Sequence, residues 1–350
     1  MSVTTKGGKL VVTPWPITIG LGKVVFYMYG PDAVKKIRPL PPSGPPPSVQ
    51  KPLISPGPDP FNQLDSLTPL ISQNEFSTTV RMANPDFGAL TPDGRTQWVS
   101  FVGNGAANPG SGGLVGFPST VLSDPHASPV VIADDAKHDL VAPAGVAVDS
   151  QGTLWVADLA SHRVLGYRAN QLQASGSPTP AVAIDDNPTG TTDGLSGLAV
   201  DGQGHVWVTR STSNGQQFID EYAAPNTGTT TPTAIRRWAL PLVAGAAPRA
   251  LAFDPAGNLW IAEHSFAARI DKADLGASRF PTPTLKVTPT AEPAIGANNL
   301  AFDSAGDLVL TGVLTLSGYT AAQLAAGNVK KSAIVVGPFN DVVKFAVLAR

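Results

Sequence analysis

The sequence has 350 residues, of which 14% are charged, compared with about 25% in an ordinary soluble domain. Hydrophobic residues make up 42%, too many for a disordered chain, and a net charge of −2 offers no general attraction for nucleic acid or an anionic membrane. The absence of cysteine excludes disulfide scaffolds, thiolate metal sites and cysteine nucleophiles. With 35 glycines and 34 prolines, this composition predicts an all-β protein with many turns.

The N-terminal segment, residues 1–38, carries six Lys and Arg against one Asp and therefore a net charge of +5. Residues 9–29 contain three short apolar stretches that predict strands. Prolines and glycines interrupt them, so we expect no membrane span. No cleavable signal peptide is recognised. We expect synthesis in the cytoplasm and leave the final compartment open, with an extracellular or virion assembly as one destination.

Residues 39–60 hold ten prolines in 22 positions. Such a segment predicts an extended, polyproline-like linker. Two interpretations of residues 1–38 follow. The segment either contributes a blade that closes the domain behind the linker, or it acts as a basic arm that docks on a neighbour.

Internal repeats with a spacing near 50 residues dominate the rest of the chain. Each unit has an apolar strand that ends in Asp, then a turn with Gly, then a second strand that usually contains Trp. Two further apolar segments follow in each unit, and four strands per repeat of this length predict a β-propeller blade. We interpret the recurring Asp, Gly and Trp as structural residues. The units are PAGVAVDSQGTLWVAD (143–158), LSGLAVDGQGHVWVTR (195–210), PRALAFDPAGNLWIAE (248–263), NNLAFDSAGDLVLTG (298–312) and the fainter FGALTPDGRTQWVS (87–100).

Residues 143–167, PAGVAVDSQGTLWVADLASHRVLGY, resemble a complete unit of the NHL-repeat family of β-propellers. Weaker similarity extends to virginiamycin B lyase-like and gluconolactonase-like propellers, for example in LWIAEH (259–264). The resemblance implies six blades, whereas five repeats are visible. We therefore expect four-stranded blades, six in number, with the sixth built from the two termini. The predicted organisation is a basic strand segment (1–38), a Pro-rich linker (39–60) and the NHL-like propeller (61–350).

In a propeller, ligands usually meet the face where the innermost strands begin and the second strands end. Polar residues at those positions are the predicted binding residues, and pairing of their opposite charges across the channel is expected: Asp158, Arg210, Arg249, Glu263 and Asn299. No metal or other cofactor is expected, because two arginines in this set would compete with a cation. The alternative is a propeller enzyme of the lyase or lactonase type, with Glu263 and His264 as catalytic residues and a divalent cation such as Ca²⁺ or Mg²⁺.

The function predicted from these features is non-catalytic binding. A protein partner, or another copy of the chain, would bind through residues 1–60 and the propeller face, as in a structural component of a filament, virion or surface complex. We expect no enzymatic activity, although the lyase-like or lactonase-like alternative stays open. Nucleic acid binding is not expected, because the remainder of the chain carries a net charge of −7 once the +5 of residues 1–38 is taken from the total of −2.

Overall fold

A computed structural model describes part of the chain, and most of its regular structure is β-strand. Its helices are short: two 3₁₀ turns, Ala169–Leu172 and Lys272–Asp274, and helix α1, Ala321–Ala325. Within the described ranges, no helix has the length and apolar character needed to cross a membrane. The described residues are 2–6, 9–13, 17–19, 22–29, 53–54, 85–101, 112–118, 130–134, 140–185, 194–223, 228–230, 233–241, 248–263, 265–289, 298–302, 305–311, 316–327, 329, 334–336 and 342–348.

The N-terminal strands form two separate pairs. The first two strands make an antiparallel two-stranded sheet, and the third pairs antiparallel with the fourth. A fifth, very short strand lies inside the predicted Pro-rich linker. Their bounds are β1 (Ser2–Lys6), β2 (Lys9–Thr13), β3 (Ile17–Ile19), β4 (Gly22–Tyr29) and β5 (Leu53–Ile54).

Five four-stranded antiparallel blades follow. Blade one contains β6 (Pro85–Leu90), β7 (Thr96–Phe101), β8 (Gly113–Pro118) and β9 (Val130–Ala133). Blade two contains β10 (Pro143–Val148), β11 (Leu154–Asp158), β12 (Arg163–Tyr167) and β13 (Val182–Ile184). Blade three contains β14 (Gly194–Val200), β15 (Val206–Ser211), β16 (Gln217–Tyr222) and, beyond the separate strand β17 (Gly228–Thr230), β18 (Arg236–Ala239). Blade four contains β19 (Ala250–Phe253), β20 (Leu259–Glu263), β21 (Phe266–Ile270) and β22 (Leu285–Val287). Blade five contains β23 (Asn299–Phe302), β24 (Leu308–Thr311), β25 (Leu316–Tyr319) and β26 (Ile334–Val336).

The innermost strands contact one another in a closed cycle. Each innermost strand contacts the next along the series β6, β10, β14, β19 and β23. The last strand, β27 (Val342–Leu348), contacts both β23 and β6. β27 also pairs in parallel with β4, so β27, β4 and β3 form one three-stranded sheet. This sheet occupies the sixth position of the ring, where the sequence predicted a blade from both termini. The prediction of an all-β propeller with four-stranded blades is confirmed.

Segments from elsewhere in the chain cover the outer edges of three blades. β17 pairs in parallel with β13 of blade two, and β5 pairs antiparallel with β26 of blade five. In blade one, a bridge joins Ile132 to Gly176 of the neighbouring blade. An uncovered strand edge exposes unpaired N–H and C=O groups that can pair with another chain. These segments form hydrogen bonds with such groups at the edges they cover.

The hydrophobic core lies between adjacent blades, with a tryptophan from most blades. Trp98 packs against blade two, Trp155 against blade three, Trp207 against blade four and Trp260 against blade five. All four are buried. The predicted structural role of these tryptophans is confirmed.

In blades two to four, the recurring Asp holds both the hairpin turn and the tryptophan. In blade two, one oxygen of Asp149 accepts the N–H groups of Gln151 and Thr153, and the other accepts Trp155 Nε1–H at 2.9 Å. The corresponding indole bonds in blades three and four are 3.3 Å and 3.0 Å long. The motif therefore ties the turn chemistry to the core packing.

Glycines let the innermost strands approach one another. A Cβ atom on Gly197 of β14 would lie 2.8 Å from backbone atoms of both Arg249 and Ala250. A Cβ on Gly145 of β10 would overlap the carbonyl oxygen of Ser196 and lie 2.9 Å from the nitrogen of Leu198. Only glycine fits at these two positions without moving a neighbouring blade.

Candidate functional site

The predicted binding residues lie where first and second strands meet at one end of the blades. The register pairs Pro143 with Asp158, and Leu195 with Arg210. In blade four, the N–H of Arg249 donates to the carbonyl of Ala262, next to Glu263. The strand ends are thus placed as the sequence predicted, and the environment of each side chain decides its role.

Asp158 holds the backbone of a loop. Its carboxylate is fully buried at the end of β11. One oxygen accepts the N–H of Ala142 at 2.8 Å, and the other accepts the N–H groups of Ala160 and Ser161 at 3.0 and 2.8 Å. Burial raises the pKa of Asp158, and these backbone hydrogen bonds oppose that rise. With both oxygens engaged, the carboxylate stabilises the loop that leaves the strand.

Arg210 belongs to a buried polar network within blade three. Its Nε lies 2.9 Å from an oxygen of Asp220, which is fully buried on the adjacent strand β16. Arg237 of β18 contacts the same carboxylate through two nitrogens, at 2.7 and 3.0 Å, and Tyr222 O–H also reaches it. The hydrogen bonds to Asp220 hold the pKa of Arg237 above its ordinary value. A buried carboxylate with charged partners on both neighbouring strands fixes their register.

Asn299 and polar residues at the ends of two second strands bond mainly to backbone. Asn299 is buried, and its side-chain oxygen accepts the N–H of Leu300. In blade three, Thr209 Oγ1 accepts the N–H of Gly197 at 2.7 Å, and in blade one Ser100 Oγ donates to the carbonyl of Ala144 at 2.6 Å. These bonds secure the innermost strands.

Arg249 and Glu263 are the most accessible of the predicted residues. The side chain of Arg249 is exposed, and that of Glu263 is partly buried at the end of β20. Burial raises the pKa of Glu263, whereas the positive charge of Lys286 lowers it. Lys286 itself lies over the ring of Phe266, with its Nζ 3.5 Å from the ring centroid. His264, the predicted catalytic partner of Glu263, lies outside the described residues.

A second polar cluster lies at the opposite end of blade three, beside the turn between β14 and β15. His205 Nδ1 lies 2.9 Å from Glu221 Oε1 and 3.3 Å from Asp201 Oδ2. Arg236 forms an ion pair with the other oxygen of Glu221. Burial raises the pKa of Glu221, against the lowering influence of Arg236 and His205. These three potential metal ligands converge within 4.8 Å.

The repeat pattern does not predict this cluster. It does place Asp201 in a hairpin turn, and Asp201 Oδ1 accepts the N–H groups of Gln203 and His205 there. The available signal was a departure from the repeat at Glu221, which pairs opposite Trp207. The equivalent positions opposite Trp98 and Trp155 are glycine.

Comparison with known proteins agrees with the fold. The chain is a β-propeller, and the NHL repeat family model matches residues 140–167. No sequence among the curated proteins matches the chain.

Several solved structures match the chain at low identity and with TM-scores below 0.5. An extracellular domain of a hybrid two-component system from B. thetaiotaomicron is 13% identical with a TM-score of 0.45; the match covers 71% of this chain but only 30% of that one. Virginiamycin B lyase from Staphylococcus aureus is 13% identical with a TM-score of 0.39, and 73% and 71% of the two chains are covered. A glucose dehydrogenase is 16% identical with a TM-score of 0.43, and 64% and 76% are covered. These similarities assign no activity to this chain.

Proposed function

We propose that the protein is a non-catalytic binding propeller that associates with further copies of itself through its N-terminal hairpin. The observation that carries this proposal is the β1–β2 sheet. It pairs with none of the other described sheets, whereas the next strands, β3 and β4, belong to the ring. A two-stranded sheet is at best marginally stable in water and gains stability by packing on another surface.

Charge supports the same association. Residues 1–38 carry a net charge of +5 and the remaining residues −7, which together give −2. Opposite potentials on two surfaces steer their encounter and fix their orientation. A basic hairpin of one copy would therefore approach the acidic propeller of another, and the contact would weaken with salt.

The engaged residues of the predicted face also favour binding over catalysis. Asp158 has both oxygens on backbone N–H groups, and Arg210 pairs with a buried carboxylate. These buried groups hold the backbone of the predicted face in place, and a preorganised face binds a partner with little loss of entropy.

The test compares the chain with a variant that lacks residues 1–13, using light scattering coupled to gel filtration, and thermal unfolding. We expect the deletion to abolish oligomers and leave the melting temperature unchanged. A longer deletion, through residue 30, also removes β3 and β4 and should lower the melting temperature, because it takes two strands from the ring. Lys6→Glu should weaken association, and Lys272→Glu, a matched charge reversal on the propeller, should not. A wild-type chain that stays monomeric at high concentration and low salt would refute the proposal.

A second candidate function, a lyase-like or lactonase-like enzyme, is favoured by Glu263. Burial raises the pKa of this carboxyl, as the acid of an acid–base catalyst requires. If the site instead holds Ca²⁺ or Mg²⁺, the ionised form of Glu263 would supply an oxygen ligand. Calorimetric titration with each ion should then show binding that Glu263→Gln abolishes; equal heats for both proteins would remove the metal-dependent form of this candidate.

A further inference from the structure

The second polar cluster, Asp201, His205 and Glu221, has the spacing of metal ligands. Around a tetrahedral Zn²⁺ with bonds of about 2.0–2.1 Å, ligand atoms lie roughly 3.3 Å apart. The observed separations from His205 Nδ1 are 2.9 Å to Glu221 Oε1 and 3.3 Å to Asp201 Oδ2. All three ligand atoms lie within 4.8 Å of one another, so side-chain movements of about an ångström would bring them to metal-binding distances.

Each carboxylate is already oriented by other groups. Asp201 Oδ1 accepts two backbone N–H groups of the turn, which leaves Oδ2 directed at His205 and Trp207. Glu221 is held by Arg236 through its other oxygen, and Arg236 Nε donates to the carbonyl of Ala277 in blade four. Outer partners of this kind fix ligand geometry in protein metal sites.

The cluster occurs in one of the five described blades, although the repeat supplies the same backbone positions in all of them. On the third strand of blades two to four, one residue pairs with the tryptophan of the second strand. This residue is Gly166 in blade two, Glu221 in blade three and Arg269 in blade four. Glycine suits this position because a Cβ on Gly166 would lie 3.0 Å from the ring of Trp155. Other blades form without a glutamate at this position, so the fold alone does not explain why Glu221 lies beside a histidine.

The residue four positions after the turn aspartate varies in the same way. Blade two has Thr153 there and blade four has Asn258, whose amide bonds to Asp254 at 2.9 Å. An amide thus holds the turn as well as an imidazole does. The imidazole adds a nitrogen ligand.

We propose that Asp201, His205 and Glu221 bind a divalent transition-metal ion of the Zn²⁺ class, on the end of blade three away from the predicted face. Two carboxylates and Arg236 leave a charge of about −1 when the imidazole is neutral, which suits a dication. A nitrogen ligand and a low ligand count favour Zn²⁺ over Ca²⁺ or Mg²⁺, which prefer oxygen ligands. His205 retains 28% of its side-chain exposure, so solvent reaches the site and completes the coordination. Coordination uses the lone pair of Nδ1, so the neutral imidazole carries its proton on Nε2 in the metal-bound form. The site is independent of the self-association proposed above.

The test is calorimetric titration of the full-length, chelator-treated protein with ZnCl₂. We expect binding at a stoichiometry of one. His205→Asn copies the residue of blade four and should keep the turn. It should nevertheless weaken binding by more than the roughly 10–100-fold that loss of an outer partner costs. His205→Thr, the residue type of blade two, serves as a second variant, and thermal unfolding without metal confirms that each variant is folded.

His162→Asn is the matched control, because it removes a histidine from blade two, and asparagine tolerates the positive φ of 58° at that position. This control should bind Zn²⁺ like the wild type. Zn²⁺ should also raise the melting temperature of the wild type and of the control but not that of the His205 variants. Failure of the wild type to bind, or equal affinity in the wild type and both His205 variants, would overturn the proposal.

Discussion

The close approach of the innermost strands makes Gly145→Ala the sharpest test of the ring geometry. The new methyl group would overlap the carbonyl oxygen of Ser196 in the next blade and lie 2.9 Å from the nitrogen of Leu198. Both atoms belong to backbone, so the strain is relieved only by moving a strand. Inserting a methyl group into a well-packed region usually costs about 1–3 kcal/mol, and we expect more than ~3 kcal/mol here because the contacts are rigid.

Two further glycine-to-alanine substitutions should cost progressively less stability. For Gly197→Ala, the methyl would lie 2.8 Å from backbone atoms of the next blade, so the expected loss is about 1–3 kcal/mol. A Cβ on Gly202 would have no atom within 4 Å, so Gly202→Ala should change stability by less than ~1 kcal/mol. Urea unfolding followed by tryptophan fluorescence measures all three. If Gly145→Ala were as stable as Gly202→Ala, the ring geometry would be wrong.

Other predictions concern the buried carboxylates and the pH dependence of stability. Asp254→Ala removes the acceptor of Trp260 Nε1–H and of a turn N–H, and urea unfolding should show a loss of about 2–4 kcal/mol; a loss below ~1 kcal/mol would contradict the role of the Asp–Trp pair. Asp220→Asn leaves Arg210 buried without its anion and should cost about 3–5 kcal/mol in the same assay; a loss below ~1 kcal/mol would contradict the burial of this network. Because burial raises the pKa of Glu263 above its ordinary value of 4.5, the folded protein holds this proton more tightly than the unfolded chain. Wild-type stability should therefore fall as the pH rises from about 4.5 through the raised value. Burial also raises the pKa values of Asp158 and Glu221, which contribute to this fall, so Glu263→Gln should show a shallower fall than the wild type; parallel stability curves for the two proteins from pH 4 to 8 would exclude this.

Most of the fold could be predicted from the repeat pattern, because each blade uses the same local chemistry. Asp, Gly and Trp at fixed spacing predicted the hairpins and the packing between blades, and the structure adds the bond from Asp149 to Trp155 that joins them. The sixth position was harder to predict, since its sheet combines β27 with β4 and no local pattern links such distant strands.

The side-chain partners at the site depend on register, which the sequence does not display. Arg210 lies near the end of β15, as the repeat predicted, but its partner Asp220 follows from the pairing of β15 with β16. Asp158 was expected to pair with an arginine, and its oxygens instead accept backbone N–H groups from the loops on both sides. Loop backbone conformation sets those bonds, and periodicity carries no information about it.

The pairing of β4 with β27 has a consequence for the order of folding. Val24 meets Val342, so the first of these strands is made roughly 300 residues before its partner. At about 5–20 residues per second, β4 waits some 15–60 s on the ribosome before the ring is completed. Until β27 is made, β4 lacks its parallel partner and β6 lacks one neighbour in the ring, so the open edge of β4 can pair with another copy of the chain.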